Sequence, residues 1–206
     1  MIVMRKSLII LCLIGIILVA LSLTLDYKSE KIKNDLIESY KINSEEQEHK
    51  NEDNQIEQNI DNGNSNIQVN KKINSSVNTK NENIIGILKI SSINLEAPIM
   101  LGEENLNYVV AKYRNSPSFG ENGNVILAGH NNMKGSIFRS LHKLKIGTIV
   151  EIQSDNKIYK YKITQREIVE PNDPNLLTQD LSKKEITLIT CTNRAKQRLI
   201  LKGERV

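Results

Sequence analysis

Thr187-Leu188-Ile189-Thr190-Cys191, Thr192-Asn193-Arg194-Ala195-Lys196, Gln197-Arg198-Leu199-Ile200-Leu201: this stretch reads as two apolar β-strands joined by a polar turn. The first strand ends on a cysteine. The other cysteine, Cys12, lies inside a long apolar run near the N-terminus, so Cys191 has no plausible disulfide partner in its own domain. A thiol reacts as its thiolate, which nearby cations favour. On this stretch alone a buried structural cysteine is an equally open reading. If Cys191 closes one strand and the next opens near Gln197, a loop of about six residues folds the chain back antiparallel. That places Arg198 beside Cys191 on a rigid element, while Arg194 rides the loop.

Working outward, short β-rich runs recur from Ile84 onward, at 84–90, 97–101, 124–128, 148–153, 157–168, 185–191 and 198–202. The 157–168 run alternates: Ile158, Lys160 and Lys162 stand against Tyr159, Tyr161 and Ile163, as in a half-buried strand. Helical pieces are minor, one at 105–110 and one at 136–144, where Ile137, Leu141 and Leu144 keep helical spacing. Many short strands with few helices predict an all-β domain, a closed or nearly closed barrel and not a doubly wound sheet. Residues 84–206 are enough for one packed domain.

The N-terminal part is different. Arg5 and Lys6 precede Ser7 to Leu25, which carries no charge. At 1.5 Å per residue this run spans about 28 Å, close to a bilayer's hydrocarbon core. It is longer than the apolar region of a typical signal peptide, and no clear small-residue cleavage site follows. Residues 1–25 are therefore expected to be a cytoplasmic tip and an uncleaved transmembrane anchor, with Cys12 on a lipid-facing or packing surface. Arg5 and Lys6 orient the N-terminus to the cytoplasm and the remainder outside the cell, although Lys28, Lys31 and Lys33 weaken that bias. Residues 26–83 are rich in Asn, Lys, Glu, Ser and Gln. They read as an extracellular flexible linker, with a short helix at 29–42 continuing from the membrane and a solvated His49. The net charge is +4, most of the positive excess lying in the C-terminal domain. Its lysines are scattered and no recognition helix or aromatic–basic motif accompanies them, so nucleic acid is not expected as a partner.

Of the three histidines, His142 falls in the 136–144 piece, where a surface position is the default. His130 follows Val125-Ile126-Leu127-Ala128-Gly129, just past a buried strand and a glycine. A strand-end His in the same domain as a free strand-end Cys is a candidate acid/base partner. Acyl transfer to a thiol develops charge on a carbonyl oxygen, and an arginine can stabilise it. Arg194 and Arg198 are the candidates, and the geometry above favours Arg198.

Here the residues resemble a known family. Leu127-Ala128-Gly129-His130, Thr187-Leu188-Ile189-Thr190-Cys191 and Arg198-Leu199-Ile200-Leu201 look like the three signature segments of sortases, cysteine transpeptidases of Gram-positive cell surfaces. Gly86-x-Leu88-x-Ile90 with Pro98-Ile99, Gly123-Asn124-Val125 and Phe138-x-x-Leu141 with Gly147 match the supporting pattern. The resemblance covers residues 84–206, and an anchor plus tether is the family's usual N-terminal arrangement. It implies an eight-stranded sortase-type β-barrel with Cys191 as nucleophile, His130 as general acid/base and Arg198 as oxyanion and substrate-orienting residue. Thr190 and Ala128 are implied substrate contacts. The implied reaction cleaves an LPXTG-like sorting signal between Thr and Gly through a thioester. A peptidoglycan-precursor (lipid II) amine then resolves that thioester and attaches the surface protein to the wall. No cofactor is implied. Glu121, Glu170 and Asp173 do not reproduce a recognisable calcium site, so no metal is assigned.

No second membrane helix or lid segment points to the pilus-building class, and the segment around 170–177 is too short for class B's helical insertion. The seven-residue Cys-to-Arg spacing looks most like class D, with class A next. An L,D-transpeptidase would carry its cysteine in a Ser-x-Gly-Cys context, and here Thr190 precedes it. Papain-like enzymes place the cysteine at a helix start, ahead of the histidine. A β-domain that only binds wall polymers, with Cys191 merely buried, is the non-enzymatic alternative.

Overall fold

The computed structural model describes residues 2–56, 84–102, 106, 108–131 and 136–206; within α1 the side chains of 2–11, 22, 25, 26, 29 and 45–56 are outside the description. The linker expected around Asn62 to Asn66 lies outside the described residues.

Eight strands close into one barrel. They are β1 (Ile84–Ile90), β2 (Leu95–Leu101), β3 (Val110–Lys112), β4 (Gly123–Ala128), β5 (Ile149–Ser154), β6 (Lys157–Val169), β7 (Lys184–Thr192) and β8 (Gln197–Arg205). The order around the wall is β1-β2-β3-β4-β7-β8-β6-β5, and β5 pairs back onto β1. Hairpins supply β1–β2, β5–β6 and β7–β8, all antiparallel. Two neighbouring pairs are parallel, β2–β3 and β4–β7. A parallel pair needs a crossover, and for β4–β7 that crossover contains the whole β5–β6 hairpin.

The alternation in β6 holds: Tyr161 and Ile163 are fully buried while Lys160 and Lys162 face solvent. Together with Leu88, Ile99, Val125, Ile186 and others they fill the barrel. The buried Tyr161 hydroxyl accepts from the Gly120 N–H at 3.1 Å, so its polar atom is satisfied. Burial is also what pushes this phenol above its ordinary pKa.

The expected short helices need correction. Val110 opens β3, the strand the sequence pattern missed; three residues, all buried, are too few to show a period. Over 136–144 only a 3-10 turn forms, Leu141–Lys143, with Leu141 buried and His142 exposed. Further 3-10 turns lie at Ser91–Ile93 and Pro174–Leu177.

The N-terminal helix α1 runs Ile2–Ile56. It reaches well past the 29–42 piece expected, so residues 26–56 of the 26–83 segment are helical. Among the described residues, no helix is long and apolar enough to cross a membrane.

Barrel closure depends on a close approach between β1 and β5. A Cβ on Gly86 would lie 2.7 Å from the backbone oxygen of Gln153, a contact that rigid backbone cannot relieve. Gly86→Val is therefore expected to force the β1–β5 seam apart and destabilise the barrel by about 1–3 kcal/mol. Thermal unfolding checks this, and an unchanged midpoint would contradict it.

Candidate active site

The site is built at one rim, where β4 and β7 end and β8 begins. Register fixes the first pair: Cys191 is the cross-strand neighbour of Arg198. Their side chains therefore share one face. It is the outer face, because Leu188, Leu199 and Leu201 of the same strands point into the core and sides alternate along a strand. The connecting turn is shorter than expected: β7 continues to Thr192 and β8 begins at Gln197.

The histidine arrives by the parallel pairing of β4 with β7. Val125 stands beside Ile186, Leu127 beside Leu188, and Ala128 beside Ile189. The Gly129 N–H continues the ladder to the Ile189 carbonyl at 3.2 Å. His130 and Cys191 follow two residues beyond the last paired residues, Ala128 and Ile189, and the Asn131 side chain reaches the Cys191 carbonyl. His130 and Cys191 are both half-buried, accessible without being fully solvated. Ala128, at the end of β4, is partly exposed.

Three contacts clasp the two strand ends. Asn131 Nδ2 donates to the Cys191 carbonyl at 2.8 Å. Thr190 Oγ1 donates to the Gly129 carbonyl at 2.7 Å. The Phe138 N–H donates to the His130 carbonyl at 2.9 Å. Phe138 is fully buried, and its ring lies so close to Gly129 that a Cβ there would meet it at 2.8 Å. The glycine before the histidine is thus required by packing, since its backbone is not left-handed. Asn131 was not legible as a site residue, because nothing in the sequence distinguishes it from the neighbouring Asn132.

Thr190 is 3% exposed, and its hydroxyl is committed to Gly129, so its side chain holds the rim from inside.

Arg198 is held by its own turn. Its Nη1 donates to the Ala195 carbonyl at 3.0 Å and to the Gln197 carbonyl at 3.2 Å. The Ala195 carbonyl is presented by a run of three left-handed residues, Asn193, Arg194 and Ala195, at φ 48°, 52° and 68°. Non-glycine residues adopt that conformation at a cost of roughly 1–2 kcal/mol each. Arg194, the alternative candidate, is exposed on this turn.

The β6–β7 connection, residues 170–183, is pinned to the same outer face. Gln179 clamps the Asn124 backbone from both sides, accepting from its N–H at 2.7 Å and donating to its carbonyl at 3.0 Å. Asn124 Nδ2 donates to the Thr178 carbonyl at 3.2 Å. Two of the acidic residues weighed for calcium make local hydrogen bonds. Glu121 accepts from the Ser118 N–H, and Asp173 caps the Pro174–Leu177 turn. Among the described residues no three His, Cys, Asp or Glu side chains cluster to hold a metal.

Comparison with known proteins agrees with this arrangement. The family model described as Sortase domain matches residues 88–206. Sortase D of Bacillus subtilis is 32% identical over 128 residues, covering 59% of this chain and 63% of that protein. Sortase A of Streptococcus agalactiae is 30% identical over 139 residues, covering 63% of this chain and 56% of that protein. The matches therefore span less than two thirds of either relative's length. The solved structure of a Clostridium perfringens Sortase D5 transpeptidase superposes with a TM-score of 0.57 at 32% identity, covering 60% of this chain and 79% of that one.

The clasp generates a prediction. Asn131→Ala and Thr190→Val each remove one hydrogen bond and should cost about 1 kcal/mol of stability. Both should also slow alkylation of Cys191 or peptide turnover by more than that loss of folded protein explains. Normal reactivity in folded Asn131→Ala would show that this bond does not position the thiol.

Proposed function

The chain belongs to the sortase family, and on that premise we propose that it is a cysteine transpeptidase. Its substrate is an LPXTG-like sorting signal and its product a surface protein joined to a cell-wall amine. The observation that carries the reading is the Cys191–Arg198 cross-strand pair, and the parallel β4–β7 register, which ends at Ala128 and Ile189, supports His130 as its third member.

The steps follow from those placements. The Cys191 thiolate attacks the carbonyl carbon of the Thr–Gly bond, and the carbonyl oxygen becomes an oxyanion. The Arg198 guanidinium, restrained by the turn's carbonyls, faces that oxygen and stabilises the charge without reorganising. His130 gives its proton to the leaving glycine amine as the C–N bond breaks, leaving an acyl group on sulfur. An incoming amine, in the reading proposed the peptidoglycan-precursor (lipid II) amine, then attacks the thioester. His130 takes the amine's proton, the new amide forms, and the thiolate returns. Splitting one amide exchange into two acyl transfers is the advantage of a covalent nucleophile.

The uncharged run Ser7 to Leu25 supports a single-pass anchor in the cell membrane, with Arg5 and Lys6 on the cytoplasmic side and the barrel outside. No cofactor takes part in this scheme. The identities reported above favour D-type relatives over the A-type one by a narrow margin.

The test uses the full chain in lipid nanodiscs, an LPXTG peptide and a glycine-based amine. The chain should form the ligated product, and Cys191→Ala should form none. Arg198→Lys should lower kcat/KM by about 100-fold or more, because an ammonium cannot reproduce the planar fork. Equal product from Cys191→Ala would end the proposal.

A further inference from the structure

The N-terminal helix docks on the barrel. Ile37 is buried at 7% exposure, packed with Ile84, Ile87, Met100 and Val109, and Leu36 and Tyr40 flank it. Ile87 and Met100 lie on the outer face of β1 and β2, since Leu88 and Ile99 beside them point into the core. Lys41 Nζ meets Glu96 Oε1 at 2.8 Å. Tyr40 lies toward the β5–β6 turn: burial, chiefly, lifts its phenol above the ordinary range, and Asp155 and Ser154 of that turn also act on it. Three separate parts of the barrel wall therefore grip about two turns of one helix.

The location matters for the site. β2 begins at the barrel end where β4 finishes, because β2 runs parallel to β3 and β3 antiparallel to β4. Glu96 therefore sits toward the end that carries His130 and Cys191. Val109 immediately precedes β3, and Ala111 of β3 is the register partner of Ala128. The docked helix thus bears on the strand next to the one that carries the histidine.

We propose that Leu36 to Lys41 is a latch by which the chain's own N-terminal helix holds the barrel in one fixed orientation. It also clamps the residue that leads into β3. The occupant of this apolar face is part of the same chain, so the catalytic end does not swing freely on a coil. Where residues 7–25 are in a bilayer, which rests on the anchor reading above, the docked stretch begins eleven residues beyond the run's last residue. At 1.5 Å per residue the latch then sits about 17 Å along the helix from the end of the run, near the membrane surface.

The experiment uses the full chain in lipid nanodiscs. Tryptic cleavage after Lys33 and Lys41 is timed by mass spectrometry, alongside the thermal midpoint and turnover of a soluble LPXTG peptide. Ile37→Asp puts a charge into the apolar contact, and Tyr40→Ala removes the grip on the β5–β6 turn. Both residues lie outside the barrel, so its fold and the peptide reaction should persist. Cleavage should speed roughly tenfold or more in each variant as the helix undocks, and the midpoint should fall. Unchanged cleavage and midpoint in Ile37→Asp would overturn the latch. A parent chain without peptide turnover, but with slow cleavage that Ile37→Asp accelerates, would instead overturn the functional reading and leave the latch standing.

Discussion

The structure depends on one pairing, the parallel alignment of β4 with β7. Parallel neighbours end at the same edge of a sheet. Two residues 61 positions apart in sequence, His130 and Cys191, therefore follow strand ends at one rim, where the Asn131 and Thr190 side chains tie the two ends together. The antiparallel β7–β8 hairpin adds Arg198 to the same face. Each candidate side chain sits at or just beyond the end of a strand whose preceding residues are locked in the core. Position is thus inherited from the barrel, while the chemistry stays on an outer surface that a peptide chain can reach.

The rim is also where the fold accepts local cost. Three consecutive left-handed residues turn β7 into β8, with none of them a glycine, which would adopt that conformation freely. In return the Ala195 carbonyl faces the Arg198 guanidinium, a long side chain otherwise free to sample many rotamers. Gly129 and Phe138 show the same logic on the histidine side. A missing Cβ admits an aromatic ring beneath the strand end, and the backbone of that aromatic residue holds the His130 carbonyl.

Much of this was legible in the sequence. Seven strands announced themselves through β-branched runs and turn residues, and Cys191, His130 and Arg198 through their positions at strand ends. What was illegible has physical causes. β3 is three residues long and falls in a stretch whose spacing resembles a helical turn. Helical spacing over 136–144 proved to be a packing pattern, with Phe138 and Leu141 reaching the core from successive tight turns. Strand alternation sends Thr190 inward from the neighbouring Cys191, and its bond to the Gly129 carbonyl spans 61 positions. Asn131 and the latch at Ile37 depend on contacts with residues far along the chain, Cys191 for the one and Ile84 to Val109 for the other, and no local pattern encodes such contacts.

The register of β4 against β7 beyond their last paired residues is the central claim, and a disulfide trap measures it most directly. In full-length chain carrying Cys12→Ser and His130→Cys, mild oxidation should join the introduced thiol to Cys191, since a disulfide forms readily only where Cα atoms lie about 4.4–6.8 Å apart. The account predicts a mass loss of about 2 Da, one disulfide's two hydrogens, and no thiol left to alkylate in folded protein. Two alkylatable thiols persisting after oxidation would place the strand ends apart and contradict it.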